Sequence, residues 1–111
     1  MRRLADKIID LRVFADAAGK MNLSLVDVGG AALIVSQFTL FADMSRGRRP
    51  SLLKAGDPAR AEQLYEIFVD QFRGRGIVTS TGSFGAVMRV DIANDGPVTF
   101  VLSTDEWTTH V

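Results

Sequence analysis

Two short segments of this 111-residue chain carry polar or conformationally special residues where side-chain or backbone chemistry could occur. Ser36 and Gln37 interrupt the run Ala31–Phe41, which is otherwise nearly all apolar. Burying a hydroxyl and an amide without partners is costly, so either a neighbouring loop or a bound ligand must satisfy them. The second segment, Asn94–Thr99, contains Gly96-Pro97, which reads as an ordinary turn or as a minority cis peptide.

The usual catalytic sets are missing from the sequence. His110 is the single histidine and lies one residue from the end, where a frayed tail is expected. No Ser-His-Asp triad, His-rich metal cluster or GxxxxGK phosphate loop can be assembled. The lack of cysteine excludes disulfides, thiolate metal sites and a cysteine nucleophile. The sequence therefore predicts no metal and no cofactor.

Charge offers one candidate surface for nucleic acid. Thirteen basic and thirteen acidic side chains cancel, so the chain does not bind RNA through its overall charge. A local patch exists, because Arg46, Arg48, Arg49 and Lys54 lie in a segment without an acid. The competing interpretation is a solvated surface loop.

The first elements follow from apolar periodicity. Leu4, Ile8 and Leu11 recur at the helical spacing, with Ile9 beside them, which predicts a helix over Arg2–Leu11. A short strand (Arg12–Ala15), a loop (Asp16–Lys20) and a glycine turn (Asp27–Gly30) are expected next. Ala31–Phe41 is typical of a central strand covered on both faces. Alternation places Leu33, Val35, Gln37 and Thr39 on one face and Ile34, Ser36, Phe38 and Leu40 on the other.

A second helix should begin at Asp57 as N-cap with Pro58 in the first turn, and run to about Arg73. Arg73 and Arg75 suit its C-terminal dipole better than an RNA contact, and Gly74 or Gly76 ends it. The side chains expected to be buried are Ala61, Leu64, Tyr65, Phe68 and Phe72. Three short strands are expected afterwards, at Ile77–Ser80, Ala86–Ile92 and Val98–Leu102, followed by a tail at Ser103–Val111.

Length and composition favour one globular unit. With 47% hydrophobic residues the chain can bury a modest core, and we expect a single domain at residues 1–102 with a tail at 103–111. No apolar run approaches a bilayer span, and the amphipathic N-terminus is not a signal peptide. A cytoplasmic protein is the expectation.

The sequence closely resembles D-aminoacyl-tRNA deacylases across roughly residues 1–102. Four motifs in the right order make the resemblance specific, although none would be specific alone. They are Leu23–Gly30, Val35–Leu40, Gly47–Ser51 and Asn94–Thr99, and Lys20-Met21-Asn22 fits as well.

The resemblance implies a three-layer α/β fold (β/β/α) and a homodimer with its active sites at the interface. It implies that Ser36, Gln37, Phe38 and Thr39 line the pocket for the terminal adenosine and the ester. It also implies that Gly96-Pro97 is a cis dipeptide from the partner subunit, whose carbonyls exclude an L side chain and admit D-aminoacyl and glycyl groups. A related L-specific branch has a trans Gly-Pro and a different Ser-Gln motif. The expected partner is the acceptor end of aminoacyl-tRNA, with phosphates at Arg46, Arg48 and Arg49.

The chemistry implied is ester hydrolysis without a protein base. Catalysis would depend on polarisation of an activated ester, with Gln37 and backbone N–H groups near Phe38 holding the oxyanion. Thr39 is assigned to binding rather than to nucleophilic attack, because no base activates it. The resemblance implies that the 2′-hydroxyl of the tRNA helps to activate water.

Two departures from the family pattern bear on activity. Family members normally begin with a strand pair, including an arginine-bearing strand that buttresses the Gly-Pro motif, whereas this chain starts at the helix. Leu52 stands where phenylalanine is common. Alternative hypotheses are a non-catalytic remnant that dimerises or binds RNA, and a plain structural domain.

Overall fold

The computed structural model describes residues 1–104, and the predicted tail lies almost wholly outside them. It contains two α-helices, four short strands and a 3₁₀ turn. In chain order they are α1 (Arg2–Asp10), β1 (Phe14–Ala15), β2 (Met21–Leu23), β3 (Ala31–Ile34), the 3₁₀ turn (Phe38–Phe41), α2 (Pro58–Gly74) and β4 (Val78–Thr81). Neither helix of this region is long and apolar enough to cross a membrane.

The core forms where α1 packs on α2 and the start of β4. Ala5 and Ile9 of α1 are fully buried and cluster with Phe72 and Ile77. The buried stripe of α1 is therefore centred one position away from the predicted Leu4, Ile8 and Leu11, which are half-buried. Ala5 is fully buried although its small side chain adds little to an apolar pattern, so the predicted helical stripe did not include it.

Helix α2 begins and ends as its sequence predicts. The Asp57 carboxylate accepts a hydrogen bond from the Arg60 N–H at 3.0 Å, with Pro58 in the first turn. At the other end Gly76 has a φ of 77°, its N–H donates to the Arg73 carbonyl, and the Ile77 N–H donates to the Phe72 carbonyl. These two bonds make a Schellman motif. Ile77 and Phe72 also share the core, so the same motif directs the chain into β4.

The strands form two separate two-stranded sheets. β3 and β4 are parallel, with Ala31 opposite Val78 and Ile34 opposite Thr81, and α2 lies between them in the chain. β1 and β2 are antiparallel around a turn in which the Asp16 carboxylate accepts from the N–H groups of Ala18 and Lys20. The predicted strands near β1 and β4 are confirmed within a residue or two, whereas β2 was missed.

The prediction of one long central strand over Ala31–Phe41 was wrong. Only Ala31–Ile34 is a strand, and its ladder has one neighbour, so Leu33 is 60% exposed instead of covered. The chain then leaves the sheet and coils into the 3₁₀ turn. Apolar composition cannot distinguish a long strand from a short strand followed by an apolar turn.

The expected strands at Ala86–Ile92 and Val98–Leu102 are also absent from the described region. A strand exists only through hydrogen bonds with a neighbouring strand, and no segment within residues 1–104 provides those bonds. Their apolar side chains consequently face outward, including Val87, Ile92 and Val101.

An ion-pair cluster ties the end of α2 to α1. The Arg75 guanidinium contacts Asp10 at 2.6 Å and Asp6 at 3.3 Å, and the Gln71 amide donates to Asp6 at 2.9 Å. The Arg75 side chain is 32% exposed, more sheltered than a free surface arginine. Arg75 is structural, as predicted, but it acts through these carboxylates rather than through the helix dipole alone.

This cluster predicts acid sensitivity. The hydrogen bond from Arg75 holds the pKa of Asp10 below its usual value of 3.8. A carboxylate with a depressed folded-state pKa stabilises the fold above pH 3.8, and this contribution is lost as pH falls through the folded-state pKa. Asp10→Asn should therefore be less stable than the parent at neutral pH, with the difference shrinking as the pH falls below that value.

Urea unfolding midpoints between neutral and strongly acidic pH test this prediction. Asp70→Asn is the matched control, because Asp70 is exposed and forms no ion pair with any residue from 1 to 104. A constant difference between Asp10→Asn and the parent across the pH range would contradict the assignment.

Candidate functional site

The candidate site begins where β3 ends. The Ile34 carbonyl accepts the Tyr65 hydroxyl at 2.7 Å and the Gly82 N–H at 3.3 Å. After this point the chain turns away from the sheet through Ser36 and an extended Gln37 into the 3₁₀ turn. A strand end fixed by two donors from different elements gives the following residues a defined starting direction.

Ser36, Gln37 and Thr39 do not occupy a buried strand, contrary to the sequence prediction. Ser36 is half-buried, whereas Gln37, Phe38 and Thr39 are exposed. The Gln37 amide donates a hydrogen bond to the Thr39 hydroxyl across the start of the turn. The side chains of Gln37 and Thr39 thus bond to each other and meet solvent, so they do not carry the burial cost that a covered strand would impose.

This arrangement offers hydrogen-bond donors and acceptors, but no general base. The Thr39 hydroxyl receives its bond from an amide, which cannot remove the hydroxyl proton. Within residues 1–104 no carboxylate or lysine hydrogen-bonds to Thr39, and no cluster of three or more metal-ligating side chains occurs. The chemistry available is polarisation and binding of a ligand that brings its own reactivity.

The Gly96-Pro97 peptide bond is cis, as the resemblance implied. Asn94 organises this segment, because its side-chain oxygen accepts from the Val98 N–H at 3.3 Å and its amide donates to Thr99 at 3.2 Å. The segment is exposed throughout. No hydrogen bond within the described chain joins it to Gln37 or Thr39.

The basic loop, which runs from Asp43 to Lys54, is closed by a backbone pair. The Asp43 N–H donates to the Ser51 carbonyl at 2.7 Å, and the Ser51 N–H returns a bond of 2.9 Å. Hydrogen bonds from Ser45, supported by Lys54 at 3.6 Å, hold the pKa of Asp43 below its usual range. Lys54 thus has an acidic neighbour in the fold, which the sequence did not predict.

The three arginines of this loop differ from Lys54. Arg46, Arg48 and Arg49 are exposed, and none forms an ion pair with any residue of the described chain. Their charge is therefore available to a partner. The loop follows the 3₁₀ turn directly, so the arginines and Gln37 belong to one continuous stretch of chain.

Comparison with known proteins identifies the family. A sequence profile described as D-Tyr-tRNA(Tyr) deacylase matches residues 1–103. The chain belongs to this family. A D-aminoacyl-tRNA deacylase of Chloroflexus aurantiacus is 55% identical over 103 residues, covering 93% of this chain and 64% of the relative. One of Herpetosiphon aurantiacus is 51% identical over 107 residues, covering 96% of this chain and 70% of the relative.

Two further similarities bear on fold and activity. A Bacillus subtilis protein named an inactive D-aminoacyl-tRNA deacylase is 52% identical over 101 residues, covering 91% of this chain and 76% of that protein. A solved structure titled c-Myc DNA Unwinding Element Binding Protein superposes with a TM-score of 0.76 at 40% identity, covering 86% of this chain and 66% of that one. The predicted α/β deacylase fold is confirmed. The chain spans slightly less than two thirds of the Chloroflexus aurantiacus relative and of the solved structure.

Substitution of Gly96 tests whether the backbone of the Gly96-Pro97 segment requires glycine. Gly96 has a φ of 139°, and an added Cβ would lie 3.1 Å from the Val98 Cγ2 and 3.2 Å from the Val98 nitrogen. Gly96→Ala should shift this backbone and break the bond between Asn94 and the Val98 N–H, since such a conformation costs a residue with a side chain about 1–3 kcal/mol.

Amide exchange at Val98, followed by NMR, measures the effect, and we expect faster exchange in Gly96→Ala. Gly56→Ala is the matched control, because a Cβ at Gly56 meets nothing within 4 Å and its φ is not positive. Unchanged exchange at Val98 in Gly96→Ala would show that the segment tolerates a side chain.

Proposed function

We propose that this chain hydrolyses the ester bond of D-aminoacyl-tRNA, and of mischarged glycyl-tRNA, releasing free tRNA and the amino acid. The observation that carries the proposal is the family match across residues 1–103, which includes the complete Val35–Leu40 and Asn94–Thr99 motifs. The protein would act in the cytoplasm as a chiral proofreading enzyme of translation.

The geometry around the 3₁₀ turn supports specific roles. Gln37 is exposed and its amide can turn from Thr39 towards a carbonyl oxygen, while backbone N–H groups near Phe38 supply further donors. Ser36 would line the pocket and Thr39 would bind substrate. With no base beside Thr39, the 2′-hydroxyl of the tRNA would help to activate water, and donors that meet the developing oxyanion would stabilise the transition state.

A second copy of the chain would complete the site. Gly96-Pro97 is exposed and unconnected to Gln37 within one copy, and the outward-facing apolar side chains of residues 86–102 favour burial against another protein surface. In a homodimer the partner's Gly-Pro carbonyls would face the substrate amine and α-carbon. An L side chain would then meet main chain, whereas a D side chain would point away.

The second candidate function is a non-catalytic RNA-binding or dimerisation protein. The similarity to the Bacillus subtilis protein named inactive favours keeping it, because its 52% identity lies between the 51% and 55% of the two relatives named as deacylases. The RNA-binding form of the second candidate would use the basic loop as the first candidate does, but only the first requires turnover.

Single-turnover deacylation separates the two candidates. We expect the chain to deacylate D-Tyr-tRNA and to spare L-Tyr-tRNA, because an L side chain would collide with the Gly-Pro backbone. The measurement is release of free tyrosine from each enantiomer at equal enzyme concentration, with uncatalysed hydrolysis as the baseline. Equal rates on both enantiomers would refute chiral proofreading, and tRNA binding without turnover would favour the second candidate.

The basic loop predicts a salt-dependent contact with tRNA. Reversing the charges of Arg48 and Arg49 should weaken binding and flatten the dependence of log Kd on log salt by roughly one unit for each phosphate that the loop ceases to neutralise. Binding measured across a salt series gives both quantities. The control is Lys7→Glu with Arg60→Glu, which changes net charge equally at exposed positions outside the loop. A slope unchanged by the loop variant would assign Arg48 and Arg49 to a solvated surface.

A further inference from the structure

We propose that Tyr65 is a positioning residue for the candidate site, acting through the backbone of Ile34. Its hydroxyl would hold the end of β3 so that Gln37 and the N–H groups near Phe38 present their donors in one fixed arrangement. The proposal rests on the proposed function, and it assigns to the site a side chain that the sequence placed only in the hydrophobic face of α2.

The hydrogen bond is well placed for this role. Tyr65 lies in α2 and Ile34 is the last residue of β3, so the bond joins residues 31 positions apart in the chain. At 2.7 Å it has the ordinary length of a hydroxyl donor to a carbonyl. The ladder between β3 and β4 stops at the pair Ile34 and Thr81. The Tyr65 hydroxyl therefore holds the sheet at the last point before the chain departs towards Ser36 and Gln37.

The surroundings of Tyr65 hold its ring in place. The ring packs on Phe84 with centroids 5.9 Å apart, and the turn carrying Phe84 follows β4 directly. In the same turn, a Cβ on Gly82 would lie 2.8 Å from the Met88 sulfur and 3.6 Å from the Val35 side chain. Glycine at this position thus lets the turn close over residue 35 while its N–H shares the Ile34 carbonyl.

These contacts meet at the carbonyl of Ile34, which directly precedes the segment of the candidate site (residues 36–39). α2 supplies the Tyr65 hydroxyl, and the turn after β4 supplies the Gly82 N–H, so two elements fix one carbonyl from different directions. The Gln37 amide is three residues further along. A small rotation at Ile34 would be magnified along this short segment, and a misplacement of about 1 Å at reacting groups costs roughly a hundredfold in rate.

Tyr65→Phe tests the hydroxyl alone, because it keeps the ring and its contact with Phe84. We expect kcat for D-Tyr-tRNA to fall on the order of tenfold with KM nearly unchanged, a smaller loss than full misplacement because the Gly82 bond remains. In the same variant the ¹³C carbonyl resonance of Ile34 should shift, and the amides of residues 36–39 should exchange faster. The carbonyl shift reports the loss of the hydrogen bond, and the exchange rates report how firmly the segment is held; neither measures the stability of the whole fold.

Phe68→Leu is the matched control for destabilisation. Phe68 lies on the same helix, packs on Phe72 with centroids 5.1 Å apart and does not contact Ile34 through a hydrogen bond. It should lower the unfolding midpoint at least as much as Tyr65→Phe, yet leave kcat and the amide exchange of residues 36–39 unchanged well below that midpoint. A kcat that follows the midpoint in both variants would overturn the positioning role.

The remaining outcomes separate this proposal from the proposed function. An active parent chain with unchanged kcat and unchanged exchange in Tyr65→Phe would overturn the Tyr65 proposal alone. A parent chain that releases no tyrosine from D-Tyr-tRNA would overturn the catalytic role together with the proposed function. In that case the Ile34 resonance and the exchange rates would still decide whether the hydroxyl fixes the segment.

Discussion

The contact between Phe72 and Ile77 is the constraint on which the rest of the structure depends. It is the hydrophobic half of the motif that ends α2, and both residues belong to the buried cluster with Ala5 and Ile9. Because the chain turns here directly into β4, this contact sets β4 alongside β3. The parallel pair in turn fixes where Ile34 ends, and the polar residues of the candidate site follow from that point.

Local signals in the sequence were sufficient to predict the parts of the structure that depend on residues close together in the chain. Asp57 with Pro58 and Gly76 after Arg73 define α2 because capping bonds form within a few residues. Pairing was less predictable, because it depends on partners far along the chain. Ala31–Phe41 has strand composition but pairs over only four residues, and Ala86–Ile92 has an alternating pattern but no partner within the described chain.

The candidate site shows the same contrast between local signals, which the sequence reveals, and contacts between distant residues, which it does not. The residues at 36–39 were found because polar groups in an apolar run are unusual, and the structure places Gln37 and Thr39 in contact. The prediction that they are buried was wrong for Gln37, Phe38 and Thr39, because the run leaves the sheet. Tyr65 was predicted to be buried for its ring, and its half-buried hydroxyl has a sequence-distant partner. The amphipathic nature of tyrosine was the available signal, since a hydroxyl on a packed ring usually finds an acceptor.

The backbone pair between Asp43 and Ser51 allows the basic loop to vary independently of the rest of the structure. Two backbone bonds between Asp43 and Ser51 join its ends, so the path from the 3₁₀ turn to α2 is complete without any contribution from the tip. Residues at the tip can change in charge or number while the junction keeps its shape, since connections that run over the surface tolerate such changes. The charge of the loop can therefore evolve, or be engineered, independently of the geometry of the candidate site.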